Sequence, residues 1–432
     1  MRIAVVGGGL TGMSAALALS EAGVRVSLFE RDATLGGVAG SFEVNGTLLE
    51  RFYHHIFTSD TAIQEMIARL GLSSRLEWSQ TNTSYFADRI YRLSAPLDLV
   101  LFRPLPLIDR LRMGLLVFQA RMVRDWRPLE AQTARQWLTH LAGARVYHDV
   151  WAPLMRGKFG PYADEISAVW MWNKLKLRGS SRGKGMRESL GYLRGGFGLL
   201  IEAMTGALLK QGVSIKSATP VERIEQHGGG FVVRTSAGEE EFDQVLVTVA
   251  PALFADMVPW LPGEYLERLR QIRYLANVCV ILSLERGLSE VYWLNISDNS
   301  IPFVGLVEHT NLRRPAEYGG RHLVYLSRYC DPDDMYYRMS DHDLVQAYLP
   351  HLQRIFPHFR SEWLVQSYVW RERYAQPVIA MHYSELKPPF ASPAAGLWLC
   401  SMAQVYPEDR GMNYAVDYGQ RIAGEILAQG GK

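Results

Sequence analysis

Cysteine is scarce in this chain of 432 residues, which carries three, Cys279, Cys330 and Cys400. They lie far apart, with no CxxC pair and no Cys/His ligand spacing, which argues against a disulfide framework and against any metal site. No uninterrupted apolar run approaches the roughly 18 residues that a spanning helix needs. There is no long run of one charge sign either, and a formal net charge of +2 gives no reason to expect nucleic acid as a partner. Internal repeats and low-complexity tracts are also missing. No basic region, long apolar core or cleavage site precedes the apolar strand at Ile3 to Val6, so a folded start is expected rather than a secretion signal. The expected compartment is the cytoplasm, with a peripheral position on its membrane as a further option. What is abundant is ordinary: 48% hydrophobic and 21% charged residues describe a globular protein, and the length calls for two or three substructures.

The opening segment is the most informative. Arg2 to Val6 reads as a short buried strand, Gly7-Gly8-Gly9-Leu10-Thr11-Gly12 turns the chain, and a helix follows to about Ala22. This is GxGxxG between a strand and a helix, the context that gives the motif meaning. Gly7 permits the tight turn, Gly9 lets the backbone approach a pyrophosphate, and Gly12 lets the helix lie close on the strand. Free N–H groups at the helix start, including those of Leu10 and Thr11, then face an anion. A second strand, Val24 to Phe29, ends at Glu30 and Arg31, where the Glu30 carboxylate can bind ribose hydroxyls. Leu35-Gly36-Gly37 adds a second glycine pair, which keeps side chains away from a long ligand. Together these features point to FAD, against the bland alternative of a glycine-rich turn.

These residues resemble the flavoprotein superfamily of amine oxidases, protoporphyrinogen oxidase and carotenoid desaturases, and more remotely UDP-galactopyranose mutase. The resemblance recurs in later blocks. Tyr192 to Phe197 precedes a helix to about Gln211, and Val221-Glu222-Arg223-Ile224 follows, where Val221 matches the residue that offers its backbone to adenine. Asp243 to Pro251 is similar to the family's returning strand. Gly396 to Cys400 forms a last strand, and Gly411-Met412-Asn413 opens a helix that in relatives starts under the flavin pyrimidine. The implied fold is α/β: a Rossmann-like FAD-binding domain, discontinuous in sequence (1–59, 190–255 and 385–432), with a helical insert (60–189) and an antiparallel-sheet substrate domain (256–384). One departure stands out. Where relatives carry an acid for the ribityl chain, this sequence has Cys400-Ser401-Met402, leaving Ser401 as a weaker contact.

In the helical insert, Leu115, Leu116, Val117 and Phe118 sit among Arg103, Arg110, Arg112, Arg121 and Arg124, the mixture of a helix lying on an anionic membrane or, more plainly, of an amphipathic helix packed on the core. The stretch from Lys174 through Lys176, Arg178, Arg182, Lys184 and Arg187 to Arg194 reads as a glycine-rich basic loop, either an anion clamp or a solvated surface. For chemistry, Glu50 to Phe57 is densely aromatic, and His55 aligns with a histidine of relatives, His54 being extra. Tyr374 and Tyr406 are expected as aromatic walls, and Arg371 or Arg373 as a partner for an acidic substrate; the catalytic candidates are thus His55, Arg373, Tyr374 and Tyr406. The resemblance implies a FAD-dependent oxidoreductase removing hydride from an apolar, terpenoid- or porphyrin-like small molecule, which could be lipid-like or phosphorylated. The alternatives are a non-redox sugar-nucleotide isomerase resembling the mutase and, behind both, a flavin-binding protein without catalysis.

Overall fold

The computed structural model describes residues 1–94, 96–180 and 189–430. Strand Arg2–Val6 lies at the centre of a five-stranded parallel sheet, ordered Ser214–Lys216, Arg25–Phe29, Arg2–Val6, Gln244–Val247, Leu397–Leu399. Strands from three distant parts of the chain therefore share one sheet. Both of its faces are covered, which is why the strands are apolar almost without interruption. Ile3, Val5 and Leu28 pack with helices Leu10–Glu21, Gly198–Lys210 and Met412–Gly430. Ala4, Val6 and Phe29, one residue out of phase, pack instead with the antiparallel strands Val221–His227, Gly230–Thr235 and Gly238–Phe242. The first and last helices cross closely at Gly419, where a Cβ would lie 2.5 Å from the Thr11 carbonyl oxygen. At the same crossing Ser14 Oγ donates to the Val416 carbonyl at 2.9 Å.

A second, seven-stranded sheet runs in the order Leu364–Pro377, Tyr274–Leu284, His322–Cys330, Gly305–Glu308, Trp293–Ile296, Thr83–Phe86, Ile90–Arg92. It is mixed rather than wholly antiparallel, because Trp293–Ile296 and Thr83–Phe86 run parallel. Its last two strands come from residues that the sequence division placed in the helical insert; at four and three residues they are too short for alternation to show. Along Tyr274–Leu284, Cys279 and Ile281 join the core shared with the cofactor domain, while Val278, Val280 and Leu282 join the core beneath helix Asp341–Ile355.

The helical insert proper occupies residues 96–180. Helices Leu107–Met122, Ala134–Ala142, Ala152–Phe159 and Ala168–Ser180 surround a core containing Trp137, Leu138, Phe159, Trp170 and Trp172. Thr133 starts one of them with a capping box: its Oγ1 accepts from Gln136 N at 3.1 Å, and Gln136 Oε1 accepts from Thr133 N at 2.9 Å. Lys174, Lys176 and Arg178, expected in a loop, lie on helix Ala168–Ser180, while Arg182, Lys184 and Arg187 fall outside the described residues. Helix Leu107–Met122 is apolar on two sides. Leu116 and Ala120 are buried inward, whereas Leu107, Ile108, Leu111, Leu115, Phe118 and Met122 are exposed, Leu111 by 65% and Phe118 by 60%. Leu97, Val100 and Leu101 just before it extend the exposed apolar surface.

Candidate active site

The turn after the first strand is held from behind by Glu30. Its carboxylate accepts from Gly8 N at 2.6 Å and from Asp32 N at 2.9 Å, so the side chain expected to meet ribose also fixes the glycine turn. Gly7 has φ of +108°, a conformation that favours glycine. At Gly12 a Cβ would lie 1.9 Å from the Gly7 carbonyl oxygen, so the absence of a side chain there sets how closely helix and strand approach. Gly9 differs: a Cβ there would meet nothing within 4 Å, because this residue borders open space.

That space is a cavity of about 960 Å³. Of the sequence candidates, Gly7, Gly9, Leu10, Thr11, Glu30, Arg31, Gly36, Gly37, Val221, Ser401, Gly411 and Met412 wall it, so the structure gathers the glycine turns, the strand at 221 and the start of the last helix around one volume. Gly12 and Asn413 do not line it. Gly12 serves helix packing, and Asn413 Oδ1 accepts from Ile63 N at 3.2 Å, tying the last helix to helix Thr61–Arg69.

The walls fit an elongated ligand rich in nitrogen and oxygen. Arg51 and Trp370 line the cavity, with the Arg51 guanidinium 4.7 Å from the Trp370 ring centroid. Arg51 Nε and Trp370 Nε1 are buried without a hydrogen-bond partner among the described residues, an arrangement that a polar cofactor would complete. Arg51 Nη2 meanwhile donates to Thr34 Oγ1 at 3.1 Å, which orients the guanidinium toward the second glycine pair. At Ser401 the departure from relatives is built into the backbone: Ser401 N donates to Gln404 Oε1 at 2.6 Å, and Gln404 Nε2 donates to the Leu399 and Pro389 carbonyls at 2.9 and 3.1 Å. No carboxylate takes the place of the missing acid in this turn.

Beyond the glycine turns the cavity becomes aromatic and cationic. Tyr374 lines it and stands edge-on to Tyr274, with centroids 5.5 Å apart. His54, rather than His55, faces the cavity. Its Nδ1–H donates to the Phe52 carbonyl at 2.6 Å, leaving Nε2 as an acceptor. Burial pushes the imidazole down to about 4, helped by the positive charge of Arg410, so it is neutral at physiological pH. His55 points into the large sheet, where Nδ1 lies 3.2 Å from Tyr292 Oη and the ring packs edge-on to Phe57 and Trp293. Side chains alternate along this segment: Phe52 and His54 reach the cavity, while Tyr53 and His55 reach Trp293.

Two other candidates are placed away from the cavity. Tyr406 is buried against Trp126 and Tyr383 and donates to Glu130 Oε1 at 2.6 Å, tying the cofactor domain to the helical insert; its neighbour Val405 lines the cavity instead. Arg373 is exposed, its guanidinium 5.9 Å from the Tyr374 ring. Arg371 does line the cavity, but its guanidinium is committed to the carbonyls of Tyr337 and Met339 and to Asp341. The cation that sequence reasoning missed is Arg410, which lines the cavity and donates from Nη2 to Tyr329 Oη at 2.9 Å and from Nε to Gln376 Oε1 at 3.1 Å.

Comparison with known proteins places this geometry in context. A Mycobacterium tuberculosis protein assigned as a flavin-containing monoamine oxidase is 24% identical over 277 residues, 61% of this chain and 60% of that protein, so the chain spans three fifths of that relative. A solved structure from Exiguobacterium, assigned as a protoporphyrinogen oxidase, shares the fold with a TM-score of 0.79 at 18% identity, covering 99% of each chain. A reduced UDP-galactopyranose mutase shares it with a TM-score of 0.76 at 16% identity, covering 99% of this chain and 96% of that one. The sequence model for flavin-containing amine oxidoreductases matches residues 10–427, from the first helix to the end of the last. A match of that extent, on a cavity walled by two glycine turns, shows that the chain belongs to the flavin-containing amine oxidoreductase family, with FAD as the cofactor the family implies.

Proposed function

We propose that this enzyme oxidises an apolar small molecule, terpenoid- or porphyrin-like, that it collects at a membrane surface. The observation that carries the reading is the outward stripe Leu107, Leu111, Leu115, Phe118 and Met122, continued by Leu97, Val100 and Leu101. Burying such side chains is worth about 1.5–3 kcal/mol each, and the fold leaves them in water. Arg103, Arg112, Arg121 and Arg124 border the stripe on exposed positions, which suits the anionic headgroups of a bilayer. Helix length does not enter the reading, since no helix among the described residues is long and apolar enough to cross a membrane.

Bound FAD supplies a two-electron acceptor. The chain's own contribution is binding and orientation. Gly9, Leu10 and Thr11 would hold the pyrophosphate at the helix start, Glu30 the ribose, and Arg51 with Trp370 the polar groups between them. Tyr274 and Tyr374 would form the wall against which an apolar substrate is held, and His54 Nε2 is placed to accept a proton. The direct test of the membrane step is co-sedimentation of the holoenzyme with phosphatidylglycerol-containing vesicles. Binding that is lost in the double variant Leu111→Asp, Phe118→Asp supports the reading; binding to neutral and anionic vesicles alike, unchanged in that variant, rejects it.

The second reading is flavin-dependent isomerisation of a sugar nucleotide, favoured by the cationic side chains near Arg410. Dithionite-reduced holoenzyme incubated with UDP-galactopyranose would then produce the furanose form. Failure to do so across a panel of UDP-sugars would remove this reading.

A further inference from the structure

Three cations from three separate elements converge next to the cavity. Lys158 comes from helix Ala152–Phe159, Lys174 from helix Ala168–Ser180, and Arg410 from the turn before the last helix. One carboxylate, Asp409, stands among them and is already engaged: it pairs with Lys174 and accepts from Gln376 Nε2 at 3.3 Å. Arg410 is directed at neutral oxygens, those of Tyr329 and Gln376. Lys158 lies over the Tyr329 ring, 4.5 Å from its centroid and 5.5 Å from that of Trp170. Among the described residues neither Lys158 nor Arg410 has a carboxylate within ion-pair distance. Lys174 and Asp409 form one ion pair, which leaves the half-buried Lys158 and Arg410 as two positive charges beside it, a costly arrangement unless a further anion arrives.

We propose that Arg410 and Lys158 form a receiving site for an anionic group of the substrate, a carboxylate or a phosphate. The substrate is then an acid-bearing molecule with an apolar body, not a neutral hydrocarbon. Arg410 reaches the cavity wall, and its guanidinium and the Lys158 ammonium both lie over the Tyr329 ring, 6.0 and 4.5 Å from its centroid, so an anion entering from the cavity would meet the guanidinium first with the ammonium on the same ring. The electrostatics agree with a site awaiting an anion. Burial pushes the Lys158 ammonium below the ordinary lysine range. Although burial pushes the Tyr329 phenol up, Lys158 and Arg410 together hold it below its ordinary value. FAD's own phosphates have the glycine turn and the first helix start to receive them, which leaves this cluster to the substrate. The inference rests on the reading of the cavity as the oxidation site for an apolar molecule.

The test is a titration of oxidised holoenzyme with dodecanoate, dodecyl phosphate, dodecanol, dodecyltrimethylammonium and UDP, followed by perturbation of the flavin's visible band. Dodecanoate or dodecyl phosphate should bind at least about tenfold more tightly than dodecanol, and the cation least well. Lys158→Gln should weaken binding of the anion about ten- to hundredfold with FAD content unchanged, and Lys158→Arg should restore most of it. Arg410→Gln should do the same if it retains FAD; the comparison of anion with alcohol on the natural protein needs no variant. Dodecanol binding as tightly as the anions, or an affinity for dodecanoate unmoved by Lys158→Gln, would overturn the anion site and leave the apolar reading standing. UDP binding that Lys158→Gln abolishes, with neither amphiphile bound, would keep the anion site and reject the apolar substrate.

Discussion

Two alanine substitutions three residues apart separate the two jobs of the glycine turn. Gly12→Ala places a Cβ 1.9 Å from the Gly7 carbonyl oxygen, a backbone atom that cannot swing aside. The helix would have to back away from the central strand, and overpacking of this kind costs about 1–3 kcal/mol or more. Gly9→Ala places its Cβ in open space, and Gly9, with φ of −72° and ψ of 175°, has extended backbone that alanine adopts freely. The only local cost is a poorer helix start, about 1 kcal/mol or less. The volume that its methyl group enters is the one assigned to the pyrophosphate, however, so FAD affinity should fall at least about a hundredfold, a loss of about 2.7 kcal/mol. Thermal unfolding of the apoprotein and quenching of FAD fluorescence on reconstitution read the two effects separately. The expected pattern is a near-normal apo midpoint with weak FAD binding for Gly9→Ala, and a depressed apo midpoint for Gly12→Ala. Gly9→Ala binding FAD as the natural chain does would refute the placement of the cofactor. A normal midpoint for Gly12→Ala would refute the account of strand–helix packing.

Glu30→Ala should weaken FAD retention and also destabilise the apoprotein, since Gly8 N and Asp32 N lose their acceptor at about 1–3 kcal/mol for a buried donor; loss of FAD with an unchanged apo midpoint would show that the turn does not depend on it. Burial pushes the Glu50 carboxyl from 4.5 up to about 7, although Tyr192 Oη and Phe197 N both donate to it at 2.6 Å. Because the folded value is raised, its contribution to stability is fully present below about pH 4.5 and is lost as pH rises through about 7, a fall of about 3 kcal/mol. Urea unfolding at about pH 5 and about pH 7 should therefore show a smaller pH dependence in Glu50→Gln than in the natural chain; an equal dependence would assign the effect elsewhere. Tyr406→Phe removes the bond to Glu130 and should lower stability by about 1.5–3 kcal/mol while leaving the flavin spectrum unchanged. A changed spectrum would return Tyr406 to the active-site wall.

The cofactor half of the cavity was legible because each contribution is local: a strand, a glycine turn and a helix start lie within a dozen residues, and the turn chemistry permits few other uses of Gly7 and Gly12. The substrate half was not. Arg410, Lys158, Tyr329 and Gln376 stand on four elements distant in sequence, and nothing in their spacing announces that they meet. Alignment with relatives favours His55 over His54, whereas the folded chain turns Phe52 and His54 to one side and Tyr53 and His55 to the other. Helix phase decided the insert in the same way: of the apolar run Leu115 to Phe118, Leu116 is buried while Leu115 and Phe118 face out, so a membrane-facing test belongs at Leu111 and Phe118 rather than at Leu116. Tyr406 could not be told from a cavity residue because its neighbour Val405 is one, and a single residue changes the side it faces.

The most direct test of redox chemistry on an apolar, acid-bearing molecule is anaerobic mixing of oxidised holoenzyme with a membrane lipid extract, fractionated into acidic and neutral lipids. The visible flavin absorbance should bleach with the acidic fraction and recover when air is admitted. An enzyme that stays oxidised with every fraction, yet interconverts UDP-galactopyranose after reduction by dithionite, would contradict the account.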